Sequence, residues 1–426
     1  MNIKIIKKSY REVSNLPAEK PFKPKKPNVF FRTLLKLVSL PDLLATHFKC
    51  NKIDMDKLGK NEPCLYLMNH SSFIDLEIVA NILYPKAFNI VATTDSFVGK
   101  GWLMRQIGCI PTKKFVSDLS LMRSMKHILK DMKSSVVMFP EAGYSLDGTA
   151  TVLPESLGGC LKLLDVPVVM IRTYGAYTRD PLYNGLQRRK VKVSADMKYL
   201  LSPDDIKNMS AGELNELLNK EFTIDHFAWQ QENKVRVSEP FRADFLNRTL
   251  YKCPHCNAEG EMEGKGTTLT CRACGASYEL DEYGFLKSTN RESIFTHIPD
   301  WYAWQRDCVR KDILEKLYSF ESPVRIFMSV DIKHIYEIGK GVLSHNENGF
   351  RLQGCDGELD YSQNPQATYS ICSDFNWYEI GDVICIGNSK ALYYCFPEKK
   401  GDFVAKVRIA AEEMYKLYKS SQKQRK

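Results

Sequence analysis

No apolar run in the 426-residue sequence is long enough to cross a bilayer, since a spanning helix needs about 20 mostly apolar residues. The richest Phe/Leu stretch, Val29 to Leu44, holds Arg32 and Lys36 and is cut by Pro41. Met1 to Tyr10 lack the apolar core and cleavage site of a secretory leader. Gly-x-Ser-x-Gly is missing, and with it the usual serine nucleophile of hydrolases. There is no internal repeat. Charge surplus is nearly absent beyond residue 49: residues 1–49 hold nine Lys and two Arg against two Glu and one Asp, which is +8 of the total +9. A disulfide scaffold is also lacking. Thirteen cysteines are present, but four form one compact set and nine are scattered, several in apolar runs such as Ile384-Cys385-Ile386. Scattered thiols that bury as small hydrophobes suit a reducing cytoplasm.

Two short segments carry the chemistry. Asn69-His70-Ser71-Ser72-Phe73-Ile74-Asp75 follows the apolar run Cys64 to Met68, and Phe139-Pro140-Glu141-Ala142-Gly143-Tyr144-Ser145 follows Ser135 to Phe139. Apolar runs of this length read as buried strands, and polar residues at their ends as site residues on loops. A histidine beside an aspartate can act as an oriented general base: the carboxylate accepts the ring N–H, fixes the tautomer and stabilises the imidazolium. No obvious nucleophile stands next to His70, so the hydroxyl it deprotonates is expected to belong to a substrate. Taken singly, His70 reads as a hydrogen-bonded loop histidine, Asp75 as a helix cap and Glu141 as a loop carboxylate; together they read as a site. His226 follows Asp225 in a stretch expected to be one helix, Ala211 to Trp229, and is taken as structural because adjacent helical residues do not face each other.

At these residues the chain resembles the glycerolipid acyltransferases, the family of 1-acyl-sn-glycerol-3-phosphate acyltransferase. That family carries Asn-His-x4-Asp, a Gly-x-Ile-x-x-x-Arg-like block, Phe-Pro-Glu-Gly-Thr-Arg-Ser and a Val-Pro-Val-Val-like strand. Here the blocks are His70 to Asp75, Gly108-Cys109-Ile110-Pro111-Thr112-Lys113-Lys114, Phe139 to Ser145 and Val166-Pro167-Val168-Val169, in the family's order. The resemblance implies an α/β fold and the transfer of a fatty acyl group to a lysophospholipid hydroxyl, giving phosphatidic acid in phospholipid biosynthesis. The donor would be acyl-CoA or acyl carrier protein. It makes His70, Asp75 and Glu141 catalytic, and it places Lys113, Lys114, Phe139, Pro140, Gly143, Ser145 and Arg172 at the substrate. Lysines and a tyrosine, Tyr144, stand where the family has arginines. Lys113 or Lys114 would meet a phosphate as a point charge, without the arginine fork, or be merely solvated; Arg172 or Arg179 could supply the missing guanidinium.

Downstream, Cys253-Pro254-His255-Cys256 and Cys271-Arg272-Ala273-Cys274 form two Cys-x2-Cys knuckles 14 residues apart. Four thiolates at this spacing can converge on one Zn²⁺, as in zinc ribbons, and with no open position the metal would be structural. His255 is a bystander. The ribbon carries Lys265 and Arg272 against three Glu, a poor footprint for nucleic acid.

Five regions are expected: a basic arm with an amphipathic membrane-interface segment (1–50), the acyltransferase region with alternating strands and helices (51–230), a linker (231–250), the zinc ribbon (251–287) and a β-rich C-terminal domain with a terminal helix (288–426), which loosely resembles a PH-like barrel. The arm's basic surplus and its Phe/Leu segment suit an anionic membrane surface, so a peripheral protein on the cytoplasmic face is expected; the segment could equally pack on its own domain. A membrane-surface or nucleic-acid-binding scaffold on an inactive acyltransferase fold is the alternative reading.

Overall fold

The computed structural model describes residues 3–17, 21–116, 118–398 and 401–424. The chain opens with β1 (Ile5–Lys7) and α1 (Tyr10–Ser14), a short helix closed by a Ser9–Glu12 capping box, followed by α2 (Val29–Ala45). Asn28 caps α2 by accepting the Phe31 N–H. Next come β2 (Lys49–Ile53), β3 (Leu65–Met68), α3 (Ile74–Ile82), β4 (Phe88–Thr93), α4 (Gly101–Gln106), β5 (Cys109–Thr112), α5 (Leu119–Lys130), β6 (Ser135–Met138), α6 (Leu157–Leu164), β7 (Val168–Tyr174), α7 (Ala176–Arg179), β8 (Ser194–Leu201), α8 (Pro203–Asn208), α9 (Ala211–Phe222) and α10 (His226–Glu232). The seven strands β2 to β8 form one sheet in the order β2-β8-β7-β3-β6-β4-β5. All neighbours are parallel except β7 and β8. Every residue of β3 and β6 is buried, as a parallel sheet covered on both faces requires.

The strand expected at Lys190 to Val193 begins instead at Ser194. Val191 and Val193 are buried, but they lie ahead of the ladder that Ser194 starts against Lys49. The single helix expected over Ala211 to Trp229 is two helices: Thr223 turns extended after α9, and Asp225 accepts the Ala228 N–H as the cap of α10.

The next sheet is small and antiparallel: β9 (Met262–Lys265), β10 (Thr268–Cys271), β11 (Ser277–Leu280) and β12 (Leu286–Ser288), in the order β12-β11-β10-β9. Residues 231–250, expected as a linker, are built into it. Ala243, Leu246 and Leu250 are buried. The Ala243 N–H donates to the Gly266 carbonyl at 2.9 Å, and the Gly264 N–H to Asn247 Oδ1 at 2.9 Å.

Helix α11 (Ile298–Leu314), which the sequence reading did not anticipate, leads into β13 (Phe320–Ser329), β14 (Ile335–Asn346), β15 (Gly349–Gly354), β16 (Leu359–Gln363), β17 (Cys372–Trp377), β18 (Gly381–Gly387), β19 (Leu392–Pro397) and α12 (Phe403–Gln424). These strands form an antiparallel sheet ordered β16-β15-β14-β13-β19-β18-β17. β1 adds to it in parallel beside β14, with Ile5 opposite Ile335 and Lys7 opposite Glu337. The basic arm is therefore anchored on the C-terminal sheet. One apolar core runs from Leu146, Tyr177 and Phe227 through Leu250, Leu269 and Trp301 to Ile326 and Val407. It welds the acyltransferase region, the ribbon and the C-terminal sheet together.

Candidate active site

Strands β3 and β6 are neighbours, so the loops leaving their carboxyl ends meet, at the place where α/β sheets bind ligands. The first loop carries His70 and Asp75, the second Glu141. Asp75 is fully buried at the start of α3. Its Oδ2 accepts the Ser71 N–H at 2.8 Å and the Ser72 N–H at 3.1 Å, and lies 3.1 Å from His70 Nδ1. A carboxylate can only accept, so Nδ1 carries the ring proton and Nε2 is left as the basic nitrogen. The His70 ring lies between Phe139 and Tyr144, with centroids 4.3 and 4.4 Å away, and its side chain keeps 24% exposure. The loop is held from the other side by Asn69, whose Oδ1 accepts the Thr173 N–H of β7 at 2.8 Å.

Glu141 braces the same loop. Its Oε2 accepts the His70 backbone N–H at 2.7 Å, and its Oε1 accepts the Thr151 N–H at 2.9 Å and lies 3.3 Å from Thr151 Oγ1. Burial pushes the Glu141 pKa up to about 7, against the N–H bonds from Thr151 and His70 that favour the carboxylate.

Other expected site residues divide. Phe139, Pro140, Lys113 and Lys114 line a cavity of about 450 Å³, within the usual size of ligand sites. Its apolar side comes from α5, β6 and α6, with Met122, Met125, Met138 and Leu157. Lys113 also donates to the Ser389 carbonyl at 2.6 Å. Burial works against the Lys114 ammonium, yet Cys372, Asp95 and Asp374 facing it leave its pKa above the ordinary value. Gly143 faces open space. Ser145 does not reach the cavity: its Oγ donates to the Thr149 carbonyl at 2.6 Å and accepts the Gly148 N–H at 2.9 Å, so it builds the turn after the motif. Arg172 is also elsewhere. Its guanidinium donates to the backbone carbonyl of Glu221, at the end of α9, where free carbonyls and the helix dipole favour a cation. Arg179 is spent on Asp42 at 3.0 Å and Asp180 at 3.2 Å.

The sequence reading missed two supports. Thr151 holds Glu141 from ten residues away, on a loop with no motif. His226, taken as a helix-packing residue, sits with Nε2 3.2 Å from Ser71 Oγ and its ring stacked on Tyr177. Burial depresses its pKa to about 4, which keeps it neutral. Ser71 and His226 lie 155 positions apart, so no local pattern links them.

In the ribbon, the Cys253 and Cys274 sulfurs are 3.7 Å apart, as are those of Cys256 and Cys271, and all four lie within 4.8 Å of one another. A tetrahedral ion with metal–sulfur bonds of about 2.3 Å sets sulfur–sulfur edges of about 3.8 Å. The four cysteines thus fit one metal ion and leave it no open position.

Residues 49–171 match the family model described as Acyltransferase. A 1-acyl-sn-glycerol-3-phosphate acyltransferase, BAT2, chloroplastic, of Brassica napus is 29% identical over 121 residues, which are 28% of this chain and 34% of that protein. The match thus spans about a third of that relative's length. The solved 1-acyl-sn-glycerophosphate (LPA) acyltransferase PlsC of Thermotoga maritima aligns over 45% of this chain and 76% of its own, at 16% identity and a TM-score of 0.35. The stretch that matches the acyltransferase model, residues 49–171, holds His70, Asp75 and Glu141.

Proposed function

We propose that the protein transfers a fatty acyl group from a thioester, acyl-CoA or acyl carrier protein, to the free hydroxyl of a lysophospholipid, with 1-acyl-sn-glycerol-3-phosphate as acceptor and phosphatidic acid as product. The observation that carries this reading is the 3.1 Å contact from His70 Nδ1 to Asp75 Oδ2, which leaves Nε2 for the acceptor. His70 Nε2 takes the hydroxyl proton as the oxygen attacks the thioester carbonyl. The carbon–sulfur bond then breaks, the new ester carbon–oxygen bond remains, and the thiolate leaves with the proton from His70. Base assistance of this kind contributes roughly 10²–10⁴-fold, and holding two substrates together contributes at least as much. Lys113 and Lys114, in a lining that joins an apolar side to polar residues including Asp118 and Glu155, suit a lipid with an anionic headgroup. Four thiolates in a closed set suit a structural Zn²⁺, which takes no part in the transfer. The site would work on a membrane-resident acceptor, with the protein peripheral on the cytoplasmic face.

The test is transfer from acyl-CoA to 1-acyl-sn-glycerol-3-phosphate, followed by mass spectrometry of the product. His70→Ala should lose at least about a hundredfold in turnover with little change in the melting profile, because the ring is partly exposed on a loop. A folded His70→Ala that kept wild-type turnover would overturn the mechanism.

A further inference from the structure

The large cavity is not built by the acyltransferase region alone. Its lining joins Met122, Met125 and Met138 of α5 and β6 to a second wall from Ala367 and Tyr369, between β16 and β17, and Tyr415 of α12. That second side is fixed in place. Lys419 Nζ of α12 pairs with Glu155 Oε2 at the cavity's rim at 3.0 Å. Glu412 of α12 takes the Ser370 hydroxyl at 2.8 Å and the Arg306 guanidinium at 2.8 Å. The Tyr369 ring packs edge-on against Phe115, with centroids 5.4 Å apart. A wall held by the mostly buried Glu412–Arg306 pair, the exposed Lys419–Glu155 pair and a ring contact gives a chamber of defined size, and adaptable methionines elsewhere in its lining suit a flexible apolar chain.

We propose that the C-terminal domain closes a chamber for a straight acyl chain, and that Ala367 and Tyr415 set the length of chain it takes. This rests on the acyl-transfer reading above and assigns the appended domain a part in choosing the substrate. Every methylene that finds room in the chamber strengthens binding by about fourfold, and a methylene that meets the wall gains nothing.

The experiment uses the full-length protein, a fluorescent fatty acid as probe and straight-chain fatty acids of increasing length as competitors. Wild type should show affinity rising by about fourfold per methylene and then levelling off. Tyr415→Ala should move the plateau to longer chains and Ala367→Trp to shorter ones. Ala367 is exposed on its loop, so the tryptophan variant decides the matter if Tyr415→Ala unfolds. Repeating the displacement with an acyl-CoA series and a 1-acyl lysophosphatidate series identifies which substrate's chain owns the chamber: the series whose plateau moves. Plateaus unmoved in both variants, or no probe displaced from wild type, would overturn the proposal. Absent acyl transfer in wild type, with plateaus that still move, would instead defeat the catalytic reading and leave the chamber standing.

Discussion

The resemblance makes Glu141 catalytic, and in the structure its bonds go to the chain. Both carboxylate oxygens are used, one on the His70 N–H and one on Thr151. The carboxylate therefore sets the height of the His70 backbone, on which the placement of Nε2 depends. Glu141→Gln keeps the shape but offers one carbonyl and one NH₂, so one of the two N–H donors faces another donor. An unsatisfied buried N–H costs about 1–3 kcal/mol, and displacing a catalytic group by an ångström costs on the order of 10²-fold in rate. E141Q should show losses of that size in stability and turnover. The pH dependence adds a second check. Burial raises the Glu141 pKa to about 7 from an ordinary 4.5, so the folded chain is favoured while the carboxyl is protonated. That contribution is fully present below about pH 4.5 and is lost as pH rises through about 7. Glutamine does not titrate. Urea unfolding should therefore show the gap between wild type and E141Q shrinking by up to about 3 kcal/mol between about pH 4.5 and pH 8. A gap that widens with pH would mean that the N–H bonds outweigh burial.

Elements were legible in the sequence where the signal was local. β3 and β6 announce themselves as short apolar runs ending in Asn69-His70 and Phe139-Pro140-Glu141, and α5 as apolar Leu121, Met125 and Ile128 spaced three or four apart. The ribbon was legible from its cysteines. What escaped was set at long range or overruled by a cap. β1 exists because β14 offers it an edge, and its partners lie some 330 positions away. The break between α9 and α10 turns on Asp225, whose side chain caps α10 and also meets His297 at 2.7 Å. α11 carried a readable stripe, with Ile298, Trp301, Tyr302, Gln305 and Val309 buried, inside a region that otherwise read as strands. The placement of α11 bears on the ribbon. Trp301 donates to the Lys252 carbonyl at 2.9 Å and packs on Tyr278 of β11 with centroids 4.9 Å apart. Losing the metal should therefore loosen more than the knuckles. Cys253→Ser should abolish the one equivalent of zinc expected in protein purified reduced and without chelator, and should destabilise the chain well beyond the ~1 kcal/mol of an ordinary point substitution. Cys308→Ser, outside the cluster, should change neither. Full metal content in Cys253→Ser would remove that residue from the ligand set.

At the scale of the whole molecule, the N-terminal segment does more packing than a loose arm would. β1 is in the C-terminal sheet, α2 lies on the acyltransferase region with Leu43 in its core, and Asp42 holds Arg179 and Arg188 at 3.0 and 2.9 Å. Lys26 is spent on the carbonyls of Met132 and Lys133. Packing on its own domain and facing a membrane are thus compatible, because α2 has two sides. The outward one exposes Phe30, Leu34, Leu37, Val38 and Leu44, and the exposed Trp102 of α4 adjoins it through Phe31, with centroids 5.8 Å apart. These positions fall on one helical stripe, and exposed apolar patches of this kind mark interaction surfaces. No helix among the described residues is long and apolar enough to cross a membrane. An interfacial helix fits the stripe, while Arg32 and Lys36 lie on the other side of α2, Arg32 donating to the Pro85 carbonyl and Lys36 over the Tyr84 ring. Deleting the first 45 residues would confound docking with folding, since β1 and Leu43 would go with them. Single substitutions on the stripe avoid this. Phe30→Ser, Val38→Ser and Trp102→Ser should each weaken binding to anionic vesicles by about tenfold, with little change in melting temperature, because the side chains already face water. Raised salt should weaken binding of wild type and variants alike if the basic residues contribute. Activity on a soluble short-chain acceptor should survive in the variants while activity on vesicle-borne acceptor falls. Vesicle sedimentation in which all three single variants bind like wild type would leave α2 as a packing helix and move the docking surface elsewhere on the molecule.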